Sequence, residues 1–406
     1  MSNKVRTGLS RYVITCLGLA LAGVTLFGPA TAGVLPEDRA DVLYHRYEGG
    51  GITIQGPSVL VRKKVGDNFS FSANYYEDMI SSASIDVKLS ASPYNEKRTQ
   101  KSASVDYLHG KSTYSAGIIK SDEPDYRSNT SYYSISQDMF GDLTTVTMSY
   151  RRGWDRVYSD EKVNGVIQND PNFGGLNIPF RRVEHRGYAL GLTQILTRNA
   201  IVALNYEAGT DEGYLANPYR QIRYLDPTSP TGVTYAPQVY PGTRTTNAAS
   251  AELKYYLPYR AALTGQYRYF RDTWGIVAHT VEVDYTHPVW KHWVFDGSLR
   301  YYRQNAADFY SDLFPRVNYS NFMARDRELA AFHSYTLGFG ASYEFSVPRA
   351  PWINRSTANI RYDRLMIDYG DFRNALYSKF GNVQPGAEPV YSLDANIFQV
   401  FISIWF

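Results

Sequence analysis

After residue 32 the sequence alternates apolar and polar side chains over segments of about ten residues. In one segment Ala251, Leu253 and Tyr255 share a face, and Glu252 and Lys254 share the other. A period of two predicts β-strands, because successive side chains of a strand point to opposite sides. We find neither sustained helical periodicity nor a second apolar run long enough for a membrane-spanning helix. The sequence therefore predicts an all-β fold.

Connection lengths distinguish two architectures that fit this alternation. A β-sandwich buries the apolar faces in a core, whereas a transmembrane barrel turns them toward lipid and keeps charge in the lumen. About sixteen strand candidates start near residues 52, 69, 84, 99, 112, 129, 143, 181, 200, 246, 260, 277, 292, 332, 355 and 393. The tight connections are 109–111, 139–142, 196–199 and 257–260, and the long ones are 154–180, 210–245, 304–331 and 369–392. Because the long connections all fall at one end, we predict a transmembrane antiparallel β-barrel of about 16 strands with short periplasmic turns.

The last residues support a barrel. Apolar side chains alternate to an aromatic final residue, in the pattern of the signal that the barrel-assembly machinery reads: Phe398, Val400, Ile402, Ile404 and Phe406. An exposed apolar edge strand would template aggregation in a soluble protein, but a barrel pairs its last strand with its first. Aromatic residues make up 15% of the chain, enough for girdles at two membrane interfaces.

The first 32 residues have the organisation of an export signal. A basic start with Lys4, Arg6 and Arg11 precedes an apolar stretch, and Ala30, Ala32 and Gly33 form a small-residue cleavage site. We therefore divide the chain into a signal peptide (1–32), a periplasmic N-terminal segment (33–51) and an outer-membrane barrel (52–406). Removing the three basic residues of the signal leaves 39 basic and 39 acidic residues, so bulk charge gives no argument for a nucleic-acid partner.

The polar faces of the predicted strands carry both signs of charge. Such residues are tolerated in a wet lumen, because Lys or Arg facing lipid at the midplane costs about 2–4 kcal/mol. The lumen candidates are Asp86, Lys88, Arg151, Glu252, Lys254, Arg268, Glu282, Asp284, Asp296, Arg300, Arg361 and Asp363. A second charged group lies in the predicted outer loops and is expected to form a salt-bridged network rather than a carboxylate site: Asp308, Asp312, Arg325 and Asp326.

Several stretches resemble the DUF3570 family of uncharacterised bacterial outer-membrane proteins. They include 38–47 followed by Gly49, Gly50 and Gly51, and 82–87, 91–94, 136–142, 217–220, 272–275 and 307–312. The resemblance implies an outer-membrane barrel without assigned catalytic residues, and it hints at a periplasmic lipoprotein or redox partner. From the residues alone, the three glycines are interpreted as a flexible joint before the first strand.

Three hypotheses for function follow. The first is a channel or exporter that passes a small polar solute or peptide through the charged lumen of a barrel in the cell outer membrane. The alternative is a non-conducting scaffold that holds a periplasmic lipoprotein or redox partner through residues 33–50. The third, ranked last, is a hydrolase that uses Asp308 and Asp312. No nucleotide-binding or zinc-protease motif occurs, so we expect no enzyme activity, cofactor, metal or nucleic-acid partner.

Overall fold

The computed structural model describes residues 33–82, 94–158, 162–163, 166–167, 180–217, 220–381 and 383–406. Its strands are β1 (Arg39–Gly49), β2 (Ile52–Val65), β3 (Phe69–Ser82), β4 (Tyr94–His109), β5 (Ser112–Asp122), β6 (Tyr126–Met139), β7 (Thr144–Tyr158), β8 (Lys162–Val163), β9 (Val166–Ile167), β10 (Phe180–Thr197), β11 (Ala200–Gly213), β12 (Gln221–Leu225), β13 (Val233–Pro237), β14 (Thr243–Tyr256), β15 (Ala262–Asp272), β16 (Val277–Val289), β17 (Trp293–Gln304), β18 (Phe332–Phe345), β19 (Arg355–Arg373) and β20 (Val390–Trp405). A 3-10 turn (Arg327–Leu329) and a short helix, α1 (Leu376–Lys379), lie in the loops. No helix of the described ranges is long and apolar enough to cross a bilayer.

Sixteen of these strands form one closed antiparallel barrel, and β8–β9 and β12–β13 form separate two-stranded sheets. Closure is made by β1, which pairs with β2 on one side and β20 on the other. At one level Val42 lies opposite both Val59 and Ile402. The last strand, β20, is therefore paired on both sides and leaves no open sheet edge, as predicted.

The barrel begins earlier than the sequence indicated. Residues 39–49, which we placed in a periplasmic segment, form the wall strand β1, and Gly50 and Gly51 make its tight turn to β2 with positive φ angles of 58° and 76°. The strand predicted near 99 corresponds to β4, which begins at Tyr94, and the strand predicted near 84 lies outside the described residues, which omit 83–93. The barrel has sixteen described strands.

The two faces of the wall differ as the alternation requires. Outward positions carry large exposed apolar side chains, among them Val42 (55% exposed), Leu253 (48%) and Val281 (44%). Their sequence neighbours Glu252, Lys254 and Glu282 point into the barrel and are partly covered. An outward band of large apolar side chains of this kind is stable in hydrocarbon and not in water.

Loop lengths sort by end of the barrel. Short turns such as 110–111, 198–199 and 290–292 join strands at one end, which also holds both ends of the described chain. The long connections 214–242, 305–331 and 374–389 lie at the other end, as predicted, together with a few short turns such as 50–51. The strands that flank 159–179, most of which is outside the described residues, also end there. We call these the short-turn end and the long-loop end.

Candidate functional site

The predicted lumen residues come together on one side of the barrel. Nine of them project inward from β14–β19 and form what we call the charged arc: Glu252, Lys254, Arg268, Glu282, Asp284, Asp296, Arg300, Arg361 and Asp363. Cross-strand register places them in neighbouring rows, since Glu282 lies opposite Arg300, and Gly338 lies between Ser298 and Asp363. Arg151 also points inward, but from β7, outside this arc. Asp86 and Lys88 fall outside the described residues.

Arg361 is the centre of the charged arc. Its guanidinium donates to Asp296 at 3.1 Å, to Ser298 at 2.8 Å and to Asp363, with a closest distance of 2.8 Å. Arg361 and Asp363 are two residues apart on β19, so they share a face and can pair within one strand. A fixed guanidinium with three oxygen partners holds the arc in one arrangement, because its planar N–H groups match carboxylate geometry.

Glycines on β18 leave the space that this network occupies. A Cβ atom at Gly340 would collide with the Asp296 carboxylate, and one at Gly338 would collide with Asp363 and Ser298. The two glycines lie on the inward side of β18, directly between the strands that carry the charged partners. The interaction between β17 and β19 therefore passes over β18 and depends on the absence of side chains there.

Other pairs of the arc are longer and more exposed. Arg300 lies 3.9 Å from Glu282, and Arg268 donates to Glu207 at 3.2 Å. Side chains in these pairs keep 30–46% of their surface exposed, even though they point into the barrel. Charged groups with that exposure inside a barrel indicate an interior filled with water at this level.

The opposite wall of the lumen is rich in small hydroxyl residues, and most of its charges are buried, such as Asp78, Arg98 and Asp106. Neighbouring hydroxyl groups at inward positions of β3–β7 bond to one another: Ser72 to Ser104 at 2.6 Å and Ser136 to Thr147 at 2.9 Å. A lumen whose exposed charges lie mainly on one side has a transverse field, which acts on a passing solute according to its charge.

At the long-loop end, three loops fold over the lumen and form what we call the mouth cap (214–242, 305–331 and 374–389). Arg223 on β12 is its buried centre, with no exposed surface. Its guanidinium donates to Glu388 at 2.5 Å, to the Asp312 carboxylate and to the Asp312 carbonyl at 2.9 Å. Arg325 donates to the same Asp312, with a closest distance of 2.8 Å, and stacks on Phe372 with its guanidinium 4.5 Å from the ring centre. One cluster thus ties all three loops together.

A second cluster lies beside the first. Arg220 donates to Asp326 at 2.6 Å and to Glu328 at 2.6 Å. Gln238 donates to Asp326 at 2.9 Å, and the Tyr240 hydroxyl donates to the same carboxylate. Loop 305–331 is therefore fastened to loop 214–242 by charge-assisted hydrogen bonds, which are the stronger class in proteins.

Ionisation follows from these contacts. Burial alone would raise the pKa of Glu388, but hydrogen bonds from Arg223 and Ser378 outweigh it and lower the pKa to about 2. For Glu328, burial is outweighed by Arg220 and Arg327, and its pKa is likewise lowered to about 2. Both carboxylates stay charged at neutral pH, as a cap built on ion pairs requires.

The predicted outer-loop residues therefore form the expected salt-bridged network, with one exception. Asp312, Arg325 and Asp326 are buried in the two clusters. Asp308 is exposed, and its carboxylate packs over Gly275, where a Cβ atom would collide with it. Asp308 and Asp312 thus have different surroundings.

Sequence reasoning missed several polar groups. It did not single out Arg223 or Glu388, nor two inward-facing histidines. His45 Nε2 lies 2.7 Å from Asp78 Oδ1 and stacks on Tyr76, and His185 lies between Asp155 (3.1 Å) and Asp211 (2.6 Å). The described part of the chain contains no group of three or more metal-binding side chains. The one available signal was the position of these histidines on the polar side of alternating segments.

Residues 33–38 cross the lumen at the short-turn end. The backbone N–H of Gly33 donates to Asp138 on β6 at 2.7 Å, although the chain enters the wall at β1. Leu35 between them is buried, with 4% exposed. The segment is anchored on the β1 side by the pair Lys63–Asp38 (2.6 Å). The first described residues thus narrow this opening.

Comparison with known proteins adds a family and a general fold. A family model described as "Protein of unknown function (DUF3570)" matches residues 84–363. No curated protein sequence matches the chain.

Among solved structures, similar folds include a bacterial polysaccharide outer membrane secretin (9% identity, TM-score 0.47, covering 92% of this chain and 100% of that one). A Pseudomonas aeruginosa FadL homologue has 12% identity and a TM-score of 0.42, covering 95% and 96% of the two chains. A loop-deletion form of OmpT, an outer membrane protein of Vibrio cholerae, has 9% identity and a TM-score of 0.39, covering 91% and 98%. These similarities are too distant to bear on function.

Proposed function

Because the chain belongs to DUF3570, a family of unknown function, its role must be argued from its own residues, and we propose that it is an outer-membrane channel for a small polar solute or peptide. The observation that carries the proposal is the charged arc. Its ion pairs stay partly exposed inside a barrel whose outer surface is apolar. A sealed, purely structural interior would not keep charged side chains wetted in this way.

The two ends of the barrel support regulated passage. The mouth cap narrows the long-loop end, and residues 33–38 narrow the short-turn end. Between them the charged arc faces the hydroxyl-rich wall. Passage through such a lumen depends on charge, because a solute must exchange its water for these groups and then leave them.

The proposed membrane location rests on the apolar outward face of the barrel wall. An apolar outward wall requires a bilayer, and closed antiparallel barrels are the β-form that satisfies every backbone group there. We propose that residues 1–32 are an export signal removed before Gly33. We also propose that the last strand is the signal for the barrel-assembly machinery, which inserts the protein into the cell outer membrane with its long loops outside. On β20 the residues Phe398, Val400, Ile402 and Ile404 all point outward, the placement that this role needs.

Planar-bilayer recording tests the channel. We expect purified, folded protein to give stable current steps in KCl, and larger steps after residues 306–330 are replaced by a short Gly-Ser turn. Asp296→Asn with Asp363→Asn should shift the reversal potential in a KCl gradient toward anion selectivity, because both carboxylates face the lumen. Asp368→Asn with Asp394→Asn, which removes two outward carboxylates, is the matched control. Absence of current from both the full and the loop-replaced protein would refute the channel.

A non-conducting scaffold is the second candidate, favoured by the buried clusters of the mouth cap. Of the predicted partner-binding segment, only residues 33–38 lie outside the wall, so they would hold a periplasmic lipoprotein or redox partner. Replacing Glu37 and Leu35 by alanine should abolish capture of that partner in a pull-down if this role holds. We propose no enzyme activity, since Asp312 is committed to Arg223 and Arg325. If hydrolysis is nevertheless observed, we expect an Asp308→Asn, Asp312→Asn variant to leave its rate unchanged.

A further inference from the structure

The outward wall carries a dense group of arginines near the long-loop end. We call the following residues the arginine patch: Arg127 on β6, Arg152 and Arg156 on β7, and Arg182 and Arg186 on β10. All five are exposed. Register places them in rows across the strands, with Arg127 opposite Arg156, Arg156 opposite Arg182, and Arg152 opposite Arg186.

These rows set like charges against one another. Directly opposed like charges destabilise a sheet. The row Arg127–Arg156–Arg182 contains two such opposed pairs. In the lower row (Arg152 and Arg186), Glu184 reduces the repulsion, since its carboxylate accepts from Arg152 at 3.5 Å and from Arg186 at 3.2 Å. In the upper row (Arg127, Arg156 and Arg182), the one carboxylate at salt-bridge distance among the described residues is Asp122, 3.8 Å from Arg127. The patch therefore keeps a clear positive excess.

The centre of the upper row contacts an aromatic ring instead of an acid. Arg156 lies 4.9 Å and Arg182 5.9 Å from the centre of the Phe180 ring. Within the described residues, no carboxylate lies at salt-bridge distance from either arginine. Stacking on Phe180 orients the guanidinium planes and leaves their N–H edges available to an anion.

The patch lies at the height of membrane head groups. The outward aromatic side chains of β7 include Tyr150, directly opposite Tyr133 and Tyr188, and Trp154, which is 46% exposed. From Thr144, where β7 begins at the short-turn end, to Trp154 the strand spans about 25 Å of barrel height, the height expected of a lipid-facing surface. Arg156 follows Trp154 by two positions and lies about 5 Å farther toward the long loops, and Arg152 lies at the edge of this band, two positions before Trp154.

The opposite wall lacks such rows of arginines. There Arg364 donates to Asp394 at 2.7 Å, and His333 lies 3.7 Å from Asp368. Neither Arg271 nor Arg303 lies opposite another arginine. Both walls face the same leaflet, so a general attraction to the membrane would not concentrate the positive charge on β6, β7 and β10. The concentration indicates a bound anion at this position.

We propose that the arginine patch binds the phosphates of a lipopolysaccharide molecule in the outer leaflet. Arginine forks bind phosphate oxygens in pairs, and a bound phosphate relieves the repulsion within each row. The number of arginines favours lipopolysaccharide over a phospholipid, because lipid A carries two phosphates and a phospholipid carries one. The inference rests on the proposed outer-membrane location, with the long loops outside, and it is independent of whether the lumen conducts.

The test is lipid binding by the folded full-length protein in detergent, measured by native mass spectrometry and fluorescence titration. The probes are bisphosphorylated lipid A and the same lipid with its phosphates removed, with inorganic phosphate as a competitor. The patch variant is Arg156→Gln, Arg182→Gln and Arg186→Gln. Its matched control is Arg271→Gln, Arg303→Gln and Arg364→Gln, three outward arginines of the other wall. Heat-modifiable gel mobility checks that each variant is folded.

We expect the patch variant to bind bisphosphorylated lipid A on the order of 100-fold more weakly than the parent, since each basic side chain near a membrane surface contributes about fivefold. The control variant and the dephosphorylated lipid separate the phosphate contact from adhesion of the acyl chains. Equal binding of the two lipids by the parent, or an equal loss in the control variant, would overturn the proposal. Full competition by millimolar inorganic phosphate would assign the patch to a free anion and would also overturn it. A parent that binds lipid A but passes no current would refute the channel and leave the patch intact.

Discussion

Removing the Arg223 guanidinium should open the mouth cap while leaving the barrel wall folded. The side chain is fully buried and donates to two carboxylates, Glu388 and Asp312, that are themselves buried. Arg223→Ala would leave both anions facing each other with Arg325 as the remaining cation at Asp312. Breaking a buried ion pair by removing one partner costs about 3–5 kcal/mol, which shifts the closed-to-open ratio by roughly two to nearly four orders of magnitude. The sixteen wall strands do not depend on this contact.

Hydrogen exchange of the reconstituted protein gives a direct measure. The amide of Leu225 donates to the Phe314 carbonyl at 2.9 Å, and the amide of Phe314 donates to the Arg223 carbonyl at 3.0 Å. Both amides should lose protection in Arg223→Ala and keep it in Arg316→Ala, which removes an exposed arginine of loop 305–331, two residues after Phe314. Protection unchanged in Arg223→Ala, or lost equally in Arg316→Ala, would refute the role given to the buried cluster.

A neutral replacement separates loss of charge from loss of shape. Arg223→Met combined with Glu388→Gln removes one cation and one anion, keeps similar volumes and leaves Asp312 paired with Arg325, so it should recover part of the protection. The pH dependence has a defined sign: with the pKa of Glu388 lowered to about 2 from 4.5, its contribution is present above pH 4.5 and is lost as the pH falls through 2. The cap of the parent protein should accordingly stay closed from neutral pH down to about pH 4.

Two further perturbations concern the lumen wall and the turn at 123–125. Gly340→Ala places a methyl group against the Asp296 carboxylate, so we expect it to separate Asp296 from Arg361 and lower the unfolding free energy in urea by about 1–3 kcal/mol. Gly265→Ala, where a Cβ meets no atom within 4 Å, should be neutral or slightly stabilising, and an equal loss there would contradict this reasoning. Burial raises the pKa of Glu123 from 4.5 to about 8. Its stabilising contribution is therefore present below pH 4.5 and lost as the pH rises through 8, so the urea midpoint should fall between pH 6 and pH 9, and Glu123→Gln should remove most of that fall.

The wall was predictable because alternation is a local property. Leu253 and Glu252 occupy opposite faces of a strand. A barrel with lipid outside and water inside gives the apolar side chain an apolar environment and the charged side chain a polar one. The inward direction of Arg361 and Asp363 followed from the same rule. The carboxylates that pair with Arg361 could not be predicted, because its contact with Asp296 crosses β18 and depends on the absence of a side chain at Gly340.

The first strand was missed for a physical reason. In the second half of β1 the usual arrangement is inverted, because His45 and Tyr47 point inward and are buried (5% and 3% exposed), whereas the charged Arg46 and Glu48 point outward and are exposed. The three glycines that follow looked like a flexible joint. In the barrel Gly50 and Gly51 adopt left-handed conformations of a tight turn, and a Cβ at Gly49 would collide with Ala395 on β20.

The mouth cap could not be predicted in detail from one sequence. Arg223 is 89 residues from Asp312 and 165 residues from Glu388, and no local pattern connects them. The charge content of the loops correctly predicted a salt-bridged network. Stretches 217–220, 272–275 and 307–312, which carried the family resemblance, contribute to the cap and its surroundings through Arg220, Trp274 and Asp312.

Thiol accessibility tests most directly whether the apolar face meets lipid and the polar face meets water. Residues 33–406 contain no cysteine, so single cysteines can be placed at neighbouring positions of β7. Ser149→Cys points into the lumen, and Met148→Cys, at a side chain 57% exposed, points outward. In proteoliposomes a charged maleimide should label Ser149→Cys quickly and Met148→Cys hardly at all, while lipid-attached quenchers should reach only a probe at 148. Fast aqueous labelling at 148 together with protection at 149 would contradict the account.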